Sequence, residues 1–73
     1  MYKKGDKVRV IASRIFFISG DYLAGQEATV LQDIGQWIAV QFEQEIYAGH
    51  NCNGLGKDGH CFYFLEEQLE AVK

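Results

Sequence analysis

The sequence predicts an all-β fold: a small five-stranded barrel with a long glycine-rich loop between its third and fourth strands. Three observations carry this. Short runs alternate apolar and polar residues with period two, and Gly, Asp and Asn punctuate them. Proline is absent, and no apolar segment combines helical length with helix caps. One stretch, Gly49 to Phe64 (GHNCNGLGKDGHCFYF), gathers both histidines, both cysteines and four of the eight glycines, as a presented loop would.

The elements follow in order. Gly5-Asp6 reads as a turn, after which Val8, Val10 and Ala12 alternate with Lys7, Arg9 and Ile11 in a half-buried strand. Ser13 to Ala24 breaks the alternation with the continuous apolar run Ile15 to Ile18, an excursion that folds over the barrel end. Gly25 opens the second strand, with Ala28 and Val30 on one face and Thr29 and Leu31 on the other. Asp33-Ile34-Gly35-Gln36 is a tight reversal, since glycine supplies the positive φ of a short hairpin. The third strand turns Ile38, Val40 and Phe42 inward and Trp37, Ala39, Gln41 and Glu43 outward. Glu43 to Gly59 is a connection of 17 residues, longer than hairpins use without a function or special stabilisation. His60 to Leu65 forms the fourth strand, Glu66-Glu67-Gln68 a single tight helical turn, and Leu69 to Val72 the fifth strand.

Seventy-three residues make one domain, 1–73, whose modest core must rest on dense aromatics and good turns. Charge is uneven. Residues 1–14 hold five basic side chains against one acid, and residues 15–73 hold two against nine. Two cysteines are too few for a disulfide framework. The start, MYKKGDKV, lacks the apolar stretch of a secretory signal, and no run approaches the roughly 20 residues of a membrane span. The expectation is a cytoplasmic chain that does not enter membranes.

GDKVRVI, GQEATV, IAVQFEQ, GHNCNG…DGHCFYF and LEEQLEAV, taken together, resemble the small SH3-like, KOW-like barrel proteins often encoded by phages and mobile elements. The resemblance spans nearly the whole chain and implies an SH3-like barrel. A looser similarity is to CAP-Gly domains, whose loop after the third strand grips acidic peptide tails. Gly49-His50-Asn51-Cys52-Asn53-Gly54 occupies the comparable place, with His50 where the lysine of that loop would stand.

His50, Cys52, His60 and Cys61 supply two imidazoles and two thiols, a set that suits tetrahedral zinc. Against a shared metal, the spacing is irregular, and neighbours His60 and Cys61 on one strand point to opposite faces. The competing reading makes Cys61 a small core residue and both histidines hydrogen-bond partners of the loop backbone. A Cys52–Cys61 disulfide would close the loop, though a reducing compartment opposes it. A Cys/His nucleophile would need a cleft and an oxyanion hole that nothing in the sequence marks. GLGKDG has neither the P-loop spacing nor a following helix. The chain is therefore expected to be non-catalytic and to need no cofactor or metal.

Function is expected from exposed aromatics. Trp37 and Tyr63, with His50 and Asn53 from the loop and Phe17 and Tyr22 from the excursion, form the candidate partner-binding set. Phe16 joins them or caps the barrel end. The first expectation is a protein-interaction module of the kind found among accessory proteins of phages and mobile elements, binding a host or phage protein. The alternative is a KOW-like nucleic-acid binder using Lys3, Lys4, Lys7, Arg9 and Arg14, which a pI near 5.2 weakens. The second alternative is a zinc-stabilised domain. An open edge strand would allow a weak dimer beside the monomer.

Overall fold

A computed structural model describes residues 2–11, 23–46 and 49–72. Among them are five strands: β1 (Lys7–Val10), β2 (Glu27–Asp33), β3 (Trp37–Gln41), β4 (Cys61–Leu65) and β5 (Leu69–Ala71). A single 3₁₀ turn, Glu66–Gln68, separates the last two. All pairings are antiparallel, in one sheet of order β4-β3-β2-β1-β5. No pairing joins β4 to β5 among the described residues, so the expected closure into a barrel is not seen in the strand ladder.

The alternation read from the sequence sets the core. Val8, Val10, Ala28, Val30, Ile38, Val40, Phe64 and Leu69 cover one face of the sheet and are buried together with Leu23, Phe42 and Ile46. Phe42 lies one residue past the end of β3, and its ring meets Phe64 edge-on at 6.3 Å. A small domain needs this concentration of apolar area, at roughly 25 cal/mol per Å² buried, to offset the entropy of ordering the chain.

Two departures from strict alternation shape the other face. Between β2 and β3 the register runs Val30↔Val40 and then Gln32↔Ala39, so Leu31 is the extra residue of a bulge. Ala39, expected to face solvent, is instead completely buried. It sits under a second small cluster with Cys52 and Cys61, against which Leu31 and Tyr63 pack. The period of a strand says which face a residue is on; it does not say whether a loop covers that face.

The ends of the sheet are held by polar contacts. Asp33 accepts hydrogen bonds from the Tyr2 N–H at 2.8 Å and the Gly35 N–H at 2.8 Å. These two bonds, the Tyr2 one foremost, hold its carboxyl below the usual carboxylate range. Gln68, the sole buried polar side chain among the described residues, accepts a hydrogen bond from the Leu65 N–H at 3.0 Å and thereby fixes the 3₁₀ turn.

Candidate functional site: an aromatic groove beside the β3–β4 connection

The site starts with the β2–β3 turn. Gly35 has φ +94°, a conformation that costs a Cβ-bearing residue dearly, and the Ile34 N–H donates to the Trp37 carbonyl at 2.9 Å. Ile34 and Trp37 thus face each other across the hairpin. Their side chains are 54% and 46% exposed. The β3–β4 register, Trp37↔Leu65 and Ala39↔Tyr63, places Tyr63 diagonally beside Trp37 on the same outer face.

The connection from β3 to β4 supplies the opposite wall. Its two arms are tied to each other by the Ile46 N–H donating to the Gly59 carbonyl at 2.9 Å. His50 and Cys61 exchange backbone hydrogen bonds of 3.0 and 2.9 Å. Beyond that bridge the backbone turns sharply, with Cys52 and Asn53 both in the left-handed region at φ 51° and 59°. Asn51 steadies the turn through its side-chain Oδ1, which accepts from the Gly54 N–H at 3.0 Å. Asn53 then reaches Tyr63, its Nδ2 donating to the phenol oxygen at 3.2 Å. Ile34, Trp37, Asn53 and Tyr63 line an open, almost wholly apolar groove of about 310 Å³.

Trp37, Tyr63 and Asn53, singled out from the sequence, are thus brought together. Tyr63 is half-buried, because its ring also rests on the cysteine cluster. His50 does not line the groove. Its ring lies 5.7 Å from that of Phe62 and 5.5 Å from that of Tyr63, and its Nδ1 accepts from the Cys52 N–H at 2.9 Å. That bond puts the proton of the neutral ring on Nε2. Ile34 was not anticipated, although an isoleucine in an otherwise polar turn is a readable signal. Leu55, also exposed, was missed as well. Phe17, Tyr22, Phe16 and Arg14 lie outside the described residues.

The four candidate zinc ligands do not converge. Cys52 and Cys61 meet and share a thiol hydrogen bond, whereas His60 turns its Nδ1 to the Phe42 carbonyl at 3.1 Å. Among the described residues no group of three or more His, Cys, Asp or Glu side chains is placed to hold a metal ion. Both cysteines are free thiols. Burial foremost, then the neighbouring Cys61, pushes the Cys52 thiol from its ordinary 9.0 up to about 12, and burial raises Cys61 too. This is the reverse of the environment that activates a nucleophilic cysteine.

The raised thiol has a consequence for stability. An acid whose folded pKa lies above its unfolded one contributes fully below the unfolded value and loses that contribution as pH rises toward the folded one. Stability is therefore expected to be level in this respect below pH 9 and to fall between 9 and about 12. Urea melts across that range, for the native chain and for Cys52→Ala, check it: the gap between the two curves should narrow as pH rises. Parallel curves would show that the thiol is not buried as described.

The basic residues of the first strand are largely committed to neighbours. Arg9 donates to Glu70 at 3.0 Å and to Glu27 at 3.3 Å, and those two hydrogen bonds raise its pKa. Lys7 donates through Nζ to the Thr29 hydroxyl at 2.9 Å. Lys3 and Lys4 are exposed in the turn before β1. Among the described residues no helix is long and apolar enough to cross a membrane. Compared with known proteins, the chain matches no family model, no curated protein sequence and no solved structure.

Proposed function

We propose that this chain is a non-catalytic protein-interaction module that binds its partner through the groove of Ile34, Trp37, Asn53 and Tyr63. The observation that carries the reading is the exposure of Trp37 and Ile34 side by side in an apolar groove whose floor and wall are braced from beneath. A large aromatic left half in water, next to a second apolar side chain, is the composition of an interface anchor. The brace is internal: Tyr63 rests on the cysteine cluster, and Asn53 is held to it by a hydrogen bond. In this reading His50 is a positioning residue that fixes the turn carrying Asn53. The strand order and the 3₁₀ turn before β5 support an SH3-like roll of the sheet over its apolar face, as in small accessory proteins of phages and mobile elements. Nucleic acid is the weaker reading, since Arg9 is held between two carboxylates and Lys7 is occupied by Thr29.

The test is capture of partners by tagged protein from native lysate, with and without nuclease, repeated with Trp37→Ala. Trp37 is exposed enough that its removal should change stability by less than about 1 kcal/mol. The same change should weaken partner binding by about 30-fold or more, as for an interface anchor. A partner that survives Trp37→Ala unchanged, or one lost on nuclease treatment, would overturn the proposal.

A further inference from the structure

We infer that Asn53 is a site of spontaneous chemical modification, losing its side-chain amide as ammonia through a ring closed on the Gly54 nitrogen, and that Asn51 controls the rate. The inference goes beyond the interaction-module reading; only its consequence for partner binding rests on that reading. Asn53 and Gly54 form the one Asn-Gly pair in the chain, and both residues are exposed. Glycine leaves its main-chain nitrogen unshielded, and a Cβ at residue 54 would have nothing within 4 Å, so the space around that nitrogen is open. In the reaction the Gly54 nitrogen attacks Cγ of Asn53. A C–N bond forms, and the carboxamide nitrogen leaves as ammonia, taking up the proton of the Gly54 amide. Water then opens the cyclic imide at either carbonyl and leaves aspartate or isoaspartate at position 53. The sum is one water consumed and one ammonia released, with no oxidant or reductant.

The turn holds the nucleophile back. The Gly54 N–H donates to Asn51 twice, to Oδ1 at 3.0 Å and to the main-chain oxygen at 3.1 Å. A nitrogen whose hydrogen is shared between two acceptors is not free to turn toward Cγ or to lose its proton. Attack therefore waits on local openings of these bonds. Asn51 is a positioning residue in this sense: it sets how often the nitrogen is released and takes no part in making the new bond. The turn is also what the reaction undoes. Cys52 and Asn53 lie at φ 51° and 59°, and the Leu55 N–H closes on the Cys52 carbonyl at 3.2 Å. Isoaspartate carries the main chain through its own Cβ and Cγ, which lengthens the backbone inside this closed turn. Either product replaces the Nδ2 donor that meets the Tyr63 phenol with a carboxylate, in a groove that is almost wholly apolar. A charge placed there opposes the burial of an apolar partner.

Peptide mass spectrometry of the folded chain, kept for weeks at mildly alkaline pH, tests the inference. Asn51 and Asn53 are the only asparagines, and cleavage after Lys57 separates them from Asp58-Gly59, whose own ring closure and reopening change no mass. The gain of about one dalton, an amine exchanged for a hydroxyl, should fall on residue 53 and spare residue 51, with isoaspartate among the products. Asn53→Gln should remove the gain, because its longer side chain must close a larger ring. Asn51→Ala should speed the reaction at residue 53 by about fivefold, the worth of one hydrogen bond. Asn51→Asp keeps the side-chain acceptor and should retain the native rate. No gain at residue 53, or a gain confined to residue 51, overturns the site. An unchanged rate in Asn51→Ala, or an Asn51→Asp rate as fast as that of Asn51→Ala, overturns the control by Asn51. Aged protein enriched in the product should lose the capture that depends on Trp37, and capture retained overturns the consequence for binding. Fresh protein that captures nothing counts against the interaction module alone and leaves the modification standing.

Discussion

Phe64→Ala is expected to cost about 3–5 kcal/mol and to leave the chain at the edge of folding. Phe64 is fully buried at the point where the sheet and the residues beyond β3 meet. Its ring contacts Phe42 edge-on and lies 5.3 Å from Phe62, and its backbone pairs with Ile38 in the next strand. Removing it leaves a cavity lined by residues from β3, β4 and the β3–β4 connection, which cannot collapse independently. A domain of this size has only about 4–11 kcal/mol of total stability, so one ring is a large share of the whole. Urea denaturation of native protein, Phe64→Leu and Phe64→Ala measures it. The leucine variant should lose about 1–2 kcal/mol, because most of the volume is kept. A loss below about 1 kcal/mol for the alanine variant would mean that the core is not centred where it is described.

The second large effect is expected at Gly49. Its backbone is not in the left-handed region, so an alanine there is not excluded by φ. The obstacle is space. A Cβ on residue 49 would collide with the Gly59 carbonyl oxygen and would lie 2.7 Å from both the carbonyl carbon of Gly59 and Cγ1 of Ile46. That carbonyl already accepts the Ile46 N–H, so it cannot move without breaking the bond that ties the two arms of the connection together. Gly49→Ala should therefore lower stability by about 2 kcal/mol and raise amide exchange at Ile46, His50 and Cys61 together. Unchanged exchange at those amides would show that the close approach is not needed. Because Asn53 lies on the same connection, the variant should also weaken the groove without altering any groove residue.

What could be read from the chain divides along physical lines. The five strands, the 3₁₀ turn at Glu66–Gln68 and the inward set Val8, Val10, Ala28, Val30, Ile38, Val40, Phe42 and Phe64 follow from local alternation. Trp37, Tyr63 and Asn53 were legible for related reasons, since two aromatics out of phase with the core and an asparagine in a glycine-rich turn point outward. Ala39 was not, because its burial depends on residues 52 and 61, which reach it only through the folded connection. The Leu31 bulge has no local signature. It is a shift of register between β2 and β3, which only the pairing of the two strands reveals. Ile34 does not follow from the turn's backbone signature, which fixes the reversal and not the exposure of its side chain. The commitment of His50 to the Cys52 N–H was invisible for a related reason: two left-handed residues at 52 and 53 bring that amide back over the ring.

The place of β1 between β2 and β5 also sets the order in which the chain can complete itself during synthesis. Its pairing with β2 is available early, but the Arg9–Glu70 contact spans 61 residues. At roughly 5–20 residues per second, a nascent chain waits about 3–12 s between making Arg9 and making its last partner. Throughout that interval one side of β1 is an unpaired edge, the kind of template on which copies of a chain join one another. Until Glu70 is made, Arg9 has only Glu27 of β2 as an ionic partner and Lys7 bonds the uncharged Thr29, and like charges on neighbouring nascent chains keep such edges apart.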